Sequence, residues 1–197
     1  MKSEKARERP KDKGQTQEPH VSTLKDLLRE KPRRGRPRRQ VARQNVYVAL
    51  HPEQKEALGV LAARLPAALS RADLPDLAVS ALTAHVEALR TAVSGRTREI
   101  PEGITDLESL YLLWDLPLPD REPADKWTSI RLSPQQVLEL GRAHGTLNAV
   151  FGANRSEVFG LALALLAQFL ERHPLQAAEM GLSDVREMIF RMTGEAG

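Results

Sequence analysis

Residues 126–136, KWTSIRLSPQQ, decide how this chain is expected to fold. Apolar and polar side chains alternate from Trp127 to Leu132, which is the period of a half-buried β-strand, and the following Ser-Pro ends the alternation. A single strand can neither pair its backbone nor bury a face by itself, so it needs a partner. Residues 43–54, RQNVYVALHPEQ, show the same alternation before a His-Pro. The sequence therefore predicts that these two stretches pair with each other.

The first predicted strand is followed by two predicted helices. Apolar spacing predicts a helix over 53–65, which Pro66 ends because proline breaks a helix. A second helix is predicted from an N-cap at Asp73 to about Arg90, with Pro75 in its first turn.

The second predicted strand is followed by the same two elements. Ser133 and Gln136 fit a capping box, in which the serine caps the helix and the glutamine reaches back to the cap. Asn154 is the predicted cap of a very apolar helix over 155–172. Corresponding strands lie 82 positions apart and corresponding caps 81, so the pattern predicts a tandem repeat. The predicted apolar face of the helix after Ser133 is Val137, Leu138, Leu140 and Leu147.

A short strand followed by two capped helices resembles the ribbon-helix-helix family of DNA-binding proteins, to which the Arc and MetJ repressors belong. The resemblance covers about 43–90 and 126–172. In that family each of two subunits contributes one strand to an antiparallel ribbon that enters the major groove. Because both strands lie in one chain here, the resemblance implies a mainly α fold with a two-stranded antiparallel β-ribbon, in which two fused units form an intramolecular pseudo-dimer. Strand 44–50 then pairs with strand 127–132 above the four helices.

The alternation assigns one face of the ribbon to the core and the other to the bases. A two-stranded ribbon fits the major groove, where each base pair shows a distinct pattern of donors and acceptors. The predicted inward residues are Val46, Val48, Leu50, Thr128, Ile130 and Leu132. By position in the family, the predicted base-reading residues are Asn45, Tyr47, Ala49, Trp127, Ser129 and Arg131.

The resemblance also implies phosphate contacts at the N-terminus of the second helix of each copy, 73–76 and 154–157, through backbone N–H groups. Two carboxylates, Asp73 and Asp76, oppose a phosphate in the first copy, so we expect the second copy to bind DNA better. The predicted phosphate-contacting residues are Asp73, Leu74, Asn154, Arg155 and Ser156.

Residues 1–42 are predicted to form a disordered basic arm, and 1–44 carry a net charge of +9 in a chain whose total is +3. Low apolar content predicts disorder over 1–20. A segment in the arm resembles the AT-hook motif through its Arg-Gly-Arg-Pro core, a thin cationic strip that fits a narrow A·T minor groove. The alternatives are a linker that grips phosphates without reading sequence and a solubilising tail. The segment comprises Arg33, Arg34, Gly35, Arg36, Pro37, Arg38 and Arg39.

Two apolar segments lie outside the repeats. The connector, 91–125, contains a predicted helix over 104–116, which packs on the core or exposes an aromatic surface to a partner. The C-terminal region, 173–197, contains a predicted helix over 183–192, which covers the repeats or pairs with a second chain.

The composition favours a binding protein over an enzyme. The absence of cysteine excludes disulfides and thiolate metal sites, and the five histidines show no metal-ligand spacing. Neither a phosphate-binding loop nor a nucleophile elbow occurs, so we expect no cofactor, no metal and no catalysis. With no secretory signal and no apolar run of membrane length, we expect a cytoplasmic, nucleoid-associated protein of bacterial type with no membrane contact.

The leading hypothesis is a sequence-specific double-stranded DNA-binding protein, a transcriptional regulator with its ribbon in the major groove and its arm in the minor groove. One alternative is an antitoxin or partition-type adaptor that binds a protein partner through 104–116 or 183–192. Another is a nucleoid-type protein without sequence preference. The chain is expected to act as a monomeric pseudo-dimer or as a higher assembly on DNA.

Overall fold

A computed structural model describes residues 42–95, 104–119, 127–175 and 179–195, all of which belong to one compact unit beginning at Gln40. Several predictions fall on the remaining residues and so lie outside the described part of the chain. They concern the disorder of 1–20, the AT-hook-like segment 33–39 and the parts of the connector at 96–103 and 120–126.

The described residues form two strands and six α-helices. The strands are β1 (Gln44–Ala49) and β2 (Trp127–Leu132). The helices are α1 (Pro52–Ala63), α2 (Leu74–Ser94), α3 (Leu107–Leu113), α4 (Pro134–Phe151), α5 (Arg155–Arg172) and α6 (Leu182–Glu195). A short 3-10 turn, Arg71–Asp73, precedes α2. The predicted fold class, mainly helical with one two-stranded antiparallel sheet, is confirmed at this level.

β1 and β2 pair with each other in antiparallel orientation, as the two quoted stretches predict. The register places Val46 opposite Ile130 and Val48 opposite Thr128. Val46, Val48 and Ile130 are buried while the residues between them are exposed, so the predicted alternation is confirmed. One face of the sheet lies on the helices, and most side chains of the other face are exposed.

The core is centred on α2 and α5, which pack against each other. α2 buries every residue from Leu74 to Leu82, and α5 buries every residue from Val158 to Leu163. Helices that are apolar on all sides are expected where neighbours surround them. Here α4 and α6 also pack on α2, while α1, α4 and β1 pack on α5. The ribbon lies on these two buried helices, since β1 contacts α5 and β2 contacts α2.

The capping box predicted at Ser133 and Gln136 is wrong. The Ser133 side chain makes no cap hydrogen bond, and the buried Gln136 amide finds no hydrogen-bond partner among the described residues. The Ser133 N–H instead donates to Asp76 Oδ1 of α2 at 2.9 Å. A reciprocal glutamine does occur in the other half, where Gln54 Oε1 accepts from the His51 N–H at 3.0 Å. A contact distant in sequence has thus replaced the local cap at α4.

Two further local predictions are corrected by the packing. Asp73 occupies the N-cap position of α2, but its carboxylate caps the preceding 3-10 turn by accepting from the Ser70 N–H at 2.8 Å. Leu138 was expected on the buried face of α4, yet 66% of its surface is exposed. Only Leu140 and Leu147 of that predicted face are fully buried, while Val137 is half-buried.

The connector helix α3 packs on the core. Leu110 and Tyr111 are buried, and Gln168 of α5 donates through Nε2 to the carbonyl oxygens of Trp114 at 2.8 Å and Asp115 at 3.0 Å. The helix is shorter than predicted at both ends, because Asp106 caps its start and the chain turns at Asp115, whose φ is 55°. The large apolar side chains that remain exposed here are Leu112, Leu113 and Leu118.

The C-terminal helix α6 packs along α2. Val185 and Ile189 are fully buried, which confirms that the apolar side predicted for 183–192 faces the core. Arg186 fixes the contact, since its Nε donates to Ser80 Oγ of α2 at 3.0 Å.

We expect His85 of α2 to make the stability of this core depend on pH. Its Nδ1 lies 2.9 Å from the Ala81 carbonyl oxygen, and its ring packs edge-on against Trp114 with centroids 5.5 Å apart. Burial lowers the pKa of His85 below its ordinary value of 6.5, and the nearby charge of Arg172 adds to that effect. The unfolded chain therefore takes up the proton first.

We expect the free energy of unfolding to be highest above the ordinary histidine pKa and to fall as the pH drops from about 7 towards 5. Replacing His85 with glutamine, His85→Gln, should flatten this dependence because the titrating group is removed. Denaturant titrations of both proteins at several pH values would measure it. An equal slope in the two proteins would contradict the role assigned to His85.

Candidate nucleic-acid interface

The outer face of the ribbon presents all six predicted base-reading side chains. The register forms three facing pairs from them: Asn45 with Arg131, Tyr47 with Ser129, and Ala49 with Trp127. Five of the six are exposed and Ala49 is half-buried, with Tyr47 at 63% and Trp127 at 72% exposure. The period-two pattern of the sequence thus gathers these residues on one open surface.

The two ends of this surface differ in chemistry. One end carries Asn45 beside Arg131, an amide and a guanidinium, which are the side chains suited to paired hydrogen bonds with adenine and guanine. The other end carries Tyr47 and Trp127, whose exposed rings offer flat apolar faces. Exposed tyrosine and tryptophan are enriched at binding interfaces. We call these the polar end and the aromatic end of the ribbon.

At the aromatic end, the ribbon is tied to the N-terminus of α5. The Ala49 N–H donates to Ser156 Oγ at 2.9 Å. Asn154 Oδ1 accepts from the N–H groups of Ser156 at 2.9 Å and Glu157 at 3.1 Å, and Glu157 Oε2 accepts from the Asn154 N–H at 2.7 Å. The predicted cap of α5 is thereby confirmed. Because the cap already uses those amide groups, the exposed Arg155 side chain is the group best placed for an anion here.

At the polar end, a buried ion pair holds the start of β1. Arg43 Nη2 lies 2.6 Å from Asp73 Oδ1 and 3.1 Å from Asp76 Oδ2. The exposed fraction of these side chains is 9% for Arg43, 13% for Asp73 and 1% for Asp76. Burial raises the pKa of Asp76, an effect that its hydrogen bond from Ser133 and the charge of Arg43 oppose. The two carboxylates that were expected to oppose a phosphate are therefore engaged within the protein.

The N-terminus of α2 differs from that of α5 in its accessibility. Leu74 is fully buried, and its N–H donates to the Arg71 carbonyl oxygen in the 3-10 turn. The Asp73 N–H donates to the Ser70 carbonyl oxygen at 2.7 Å. The predicted phosphate contacts at Asp73 and Leu74 thus fall on groups that already have partners. The N–H groups of Asn154 and Ser156 also have partners, in the cap of α5. Of the contacts predicted there, the exposed Arg155 side chain is the one left for a phosphate.

A cleft of about 1080 Å³ opens beside the aromatic end. Tyr47 and Trp127 form one wall, and Asp106 and Glu108 at the start of α3 contribute to the lining. Hydrogen bonds from the Ser109 side chain and backbone lower the pKa of Asp106, so this carboxylate carries its charge at neutral pH. No sequence pattern indicated this cleft, because it depends on where the connector packs.

The described residues contain no group of three or more His, Cys, Asp or Glu side chains that could hold a metal ion. Among the same residues, no single helix is long and apolar enough to cross a membrane; α4 and α5 reach that composition only as a pair, bent by 111°. No family model matches the chain, and neither a curated protein nor a solved structure matches it. Function is therefore inferred from the residues and their geometry.

Proposed function

We propose that this protein binds double-stranded DNA by inserting the β1–β2 ribbon into the major groove, in the manner of the ribbon-helix-helix family. One observation carries the proposal: two antiparallel strands bury one face and present six side chains in three facing pairs on the other. A ribbon of two strands has the width that the major groove admits. On this proposal, 43–90 and 126–172 are fused units of a single-chain pseudo-dimer.

Some of these residues are proposed to read the bases, and others to fix the position of the ribbon on the DNA. Asn45 and Arg131 bind base edges at the polar end, while Tyr47 and Trp127 pack against the groove at the aromatic end. Arg155, at the exposed start of α5, contacts a backbone phosphate and fixes the orientation of the ribbon. The function is that of a sequence-specific transcriptional regulator rather than an enzyme.

The charge distribution supports the same assignment. Residues 1–44 carry a net charge of +9, whereas the rest of the chain carries −6. A basic segment attached to an acidic body gains affinity from displaced counterions when it binds a polyanion. We propose that the arm binds the adjacent minor groove, because arginine is attracted to the narrow minor groove of A·T tracts.

The deciding experiment is the selection of bound duplexes from a random pool by the full-length protein at physiological salt. Enrichment of a defined motif flanked by an A·T tract is the expected result. Uniform binding of all duplexes would instead assign a nucleoid-type role without sequence preference. Failure to retain any duplex would overturn the proposal.

A protein partner is the second candidate, and the surface of α3 favours it. Leu112, Leu113 and Leu118 are 67%, 44% and 52% exposed, although the same segment buries Leu110, Tyr111 and Leu116. An antitoxin or partition-type adaptor would use such a surface to hold its partner. A protein that co-purifies with the natural chain and is lost on the double substitution Leu112→Ser and Leu113→Ser would support this role.

A further inference from the structure

At the polar end of the ribbon, one buried carboxylate contacts the residues that flank both strands. Arg43 directly precedes β1 and Ser133 directly follows β2, and these strand ends are neighbours because Gln44 pairs with Leu132. Asp76 of α2 reaches both of them. Its Oδ1 accepts from the Ser133 N–H at 2.9 Å, and its Oδ2 lies 3.1 Å from Arg43 Nη2.

Asp73 completes this arrangement from the turn before α2. Its Oδ1 lies 2.6 Å from Arg43 Nη2, the shorter of the two ion-pair distances. With only 9% of its side chain exposed, Arg43 is held between two carboxylates rather than presented to solvent. Removing one member of a buried ion pair leaves the other charge uncompensated in a medium of low polarity, which makes such a contact hard to open.

The geometry points to a positioning role: we propose that Arg43, Asp73 and Asp76 form a clamp that sets where the basic arm begins relative to the base-reading face. This proposal rests on the DNA-binding function proposed above. The arm is covalently joined to Arg43, so fixing Arg43 fixes the origin of the arm at the end where Asn45 faces Arg131. A fixed origin raises the effective concentration of the arm at one flanking minor groove. Arg43 is thus a positioning residue and not a phosphate contact.

The substitution Asp73→Asn separates this role from simple electrostatics. It removes a negative charge close to the proposed DNA surface, so charge alone predicts tighter binding. The clamp predicts the opposite for the arm, because Arg43 loses the partner at 2.6 Å and the origin of the arm becomes less defined. Asparagine keeps an oxygen that can still accept from Ser70, which preserves the turn before α2.

The matched control is Glu87→Gln, which removes a carboxylate from a surface ion pair of similar length, 2.7 Å to Arg90 Nη2. Both side chains of that pair are largely exposed. Because Glu87 lies about 20 Å further along α2, this variant reports the effect of lowering the net negative charge away from the ribbon. Thermal unfolding of each variant confirms that the proteins compared are folded.

Hydroxyl-radical footprinting of the full-length proteins on a selected duplex tests the clamp. Wild type and Glu87→Gln should protect the ribbon site and one minor-groove segment at a fixed distance from it. Asp73→Asn should protect the ribbon site as before, while the minor-groove protection becomes weaker and spreads. In each protein the contribution of the arm is measured as the loss of affinity caused by Arg34→Ala with Arg36→Ala. We expect that loss of affinity in the Asp73→Asn protein to be at most about one third of the loss in wild type.

Two results would overturn the clamp alone while leaving DNA binding intact. One is an unchanged minor-groove footprint with an unchanged arm contribution in Asp73→Asn. The other is tighter binding with an unchanged footprint, which would mean that Asp73 restrains a phosphate contact of Arg43. If wild type gives no protection at all, the DNA-binding proposal fails and the clamp fails with it. Arg43→Lys provides a conservative comparison, since it keeps the charge but offers one nitrogen to two carboxylates, and partial spreading is expected.

Discussion

Replacing Arg131 with alanine is expected to remove about 1–3 kcal/mol of discrimination at one base pair while leaving non-specific binding nearly intact. The residue is exposed on the outward face, faces Asn45 across the ribbon and is the only cation among the six side chains of that face. A guanidinium in this position can donate two hydrogen bonds to guanine, which no other base pair reproduces. Competition binding with the selected duplex and with single-base variants would locate the affected position.

Arg191→Ala serves as the control, because it removes the same charge from an exposed position on α6. It should change neither the preferred sequence nor the ratio of specific to non-specific affinity. If Arg131→Ala weakens binding to all duplexes equally and lowers the salt dependence by about one phosphate contact, the residue touches the backbone instead. A preferred sequence that survives Arg131→Ala unchanged would mean that Arg131 does not read a base and that the register or orientation assigned to the ribbon in the groove is wrong.

The ribbon could be predicted from sequence because its alternating pattern lies within a few neighbouring residues and because a single strand needs a partner strand. Alternation from Trp127 to Leu132 assigns each side chain to one face of the strand, and an isolated strand must pair with another strand. The observed strand has the predicted bounds, and the pairing joins the two quoted stretches. Since side chains on a strand alternate between faces, the residues of the outer face followed directly from the register.

Capping shows where local reasoning fails. Asn154 satisfies the first amide groups of α5 as predicted, because its partners lie within three residues. Ser133 and Gln136 have the same kind of sequence signature, yet Asp76 takes the Ser133 N–H from a distance of 57 residues along the chain. A buried carboxylate needs hydrogen-bond donors so strongly that it can displace a weaker local partner.

The contacts at the two ends of the ribbon depend on tertiary packing, which a periodic pattern in the sequence does not reveal. Arg43 could be counted with the basic arm by composition, but the structure buries it against Asp73 and Asp76. A faint signal was present, since Asp76 lies in an apolar first part of its helix and a buried carboxylate needs a cation or hydrogen-bond donors. The cleft beside Tyr47 and Trp127 had no such signal, because it is formed by elements from distant parts of the chain.

Replacing Asp76 with alanine is expected to lower the free energy of unfolding by about 3–5 kcal/mol, the usual cost of removing one member of a buried ion pair. The substitution leaves the Ser133 N–H without its acceptor and leaves Arg43 with Asp73 as the remaining carboxylate of the clamp. Both strands lose their attachment to α2 at the polar end, so the loss should exceed that of any surface charge substitution. Urea denaturation followed by circular dichroism would measure it.

Asp76→Asn separates the hydrogen bond from the charge, because asparagine keeps an oxygen for the Ser133 N–H. It should therefore destabilise the protein less than alanine does. Burial raises the pKa of Asp76 above 3.8, so in the interval above that value the folded state holds a proton that the unfolded chain has lost. This group alone makes stability decline as the pH rises through that interval, and Asp76→Asn should remove the decline. If the alanine and asparagine variants were equally unstable, the Ser133 hydrogen bond would contribute nothing to holding the ribbon. If Asp76→Asn kept the pH dependence of the parent, Asp76 would not be the group that titrates.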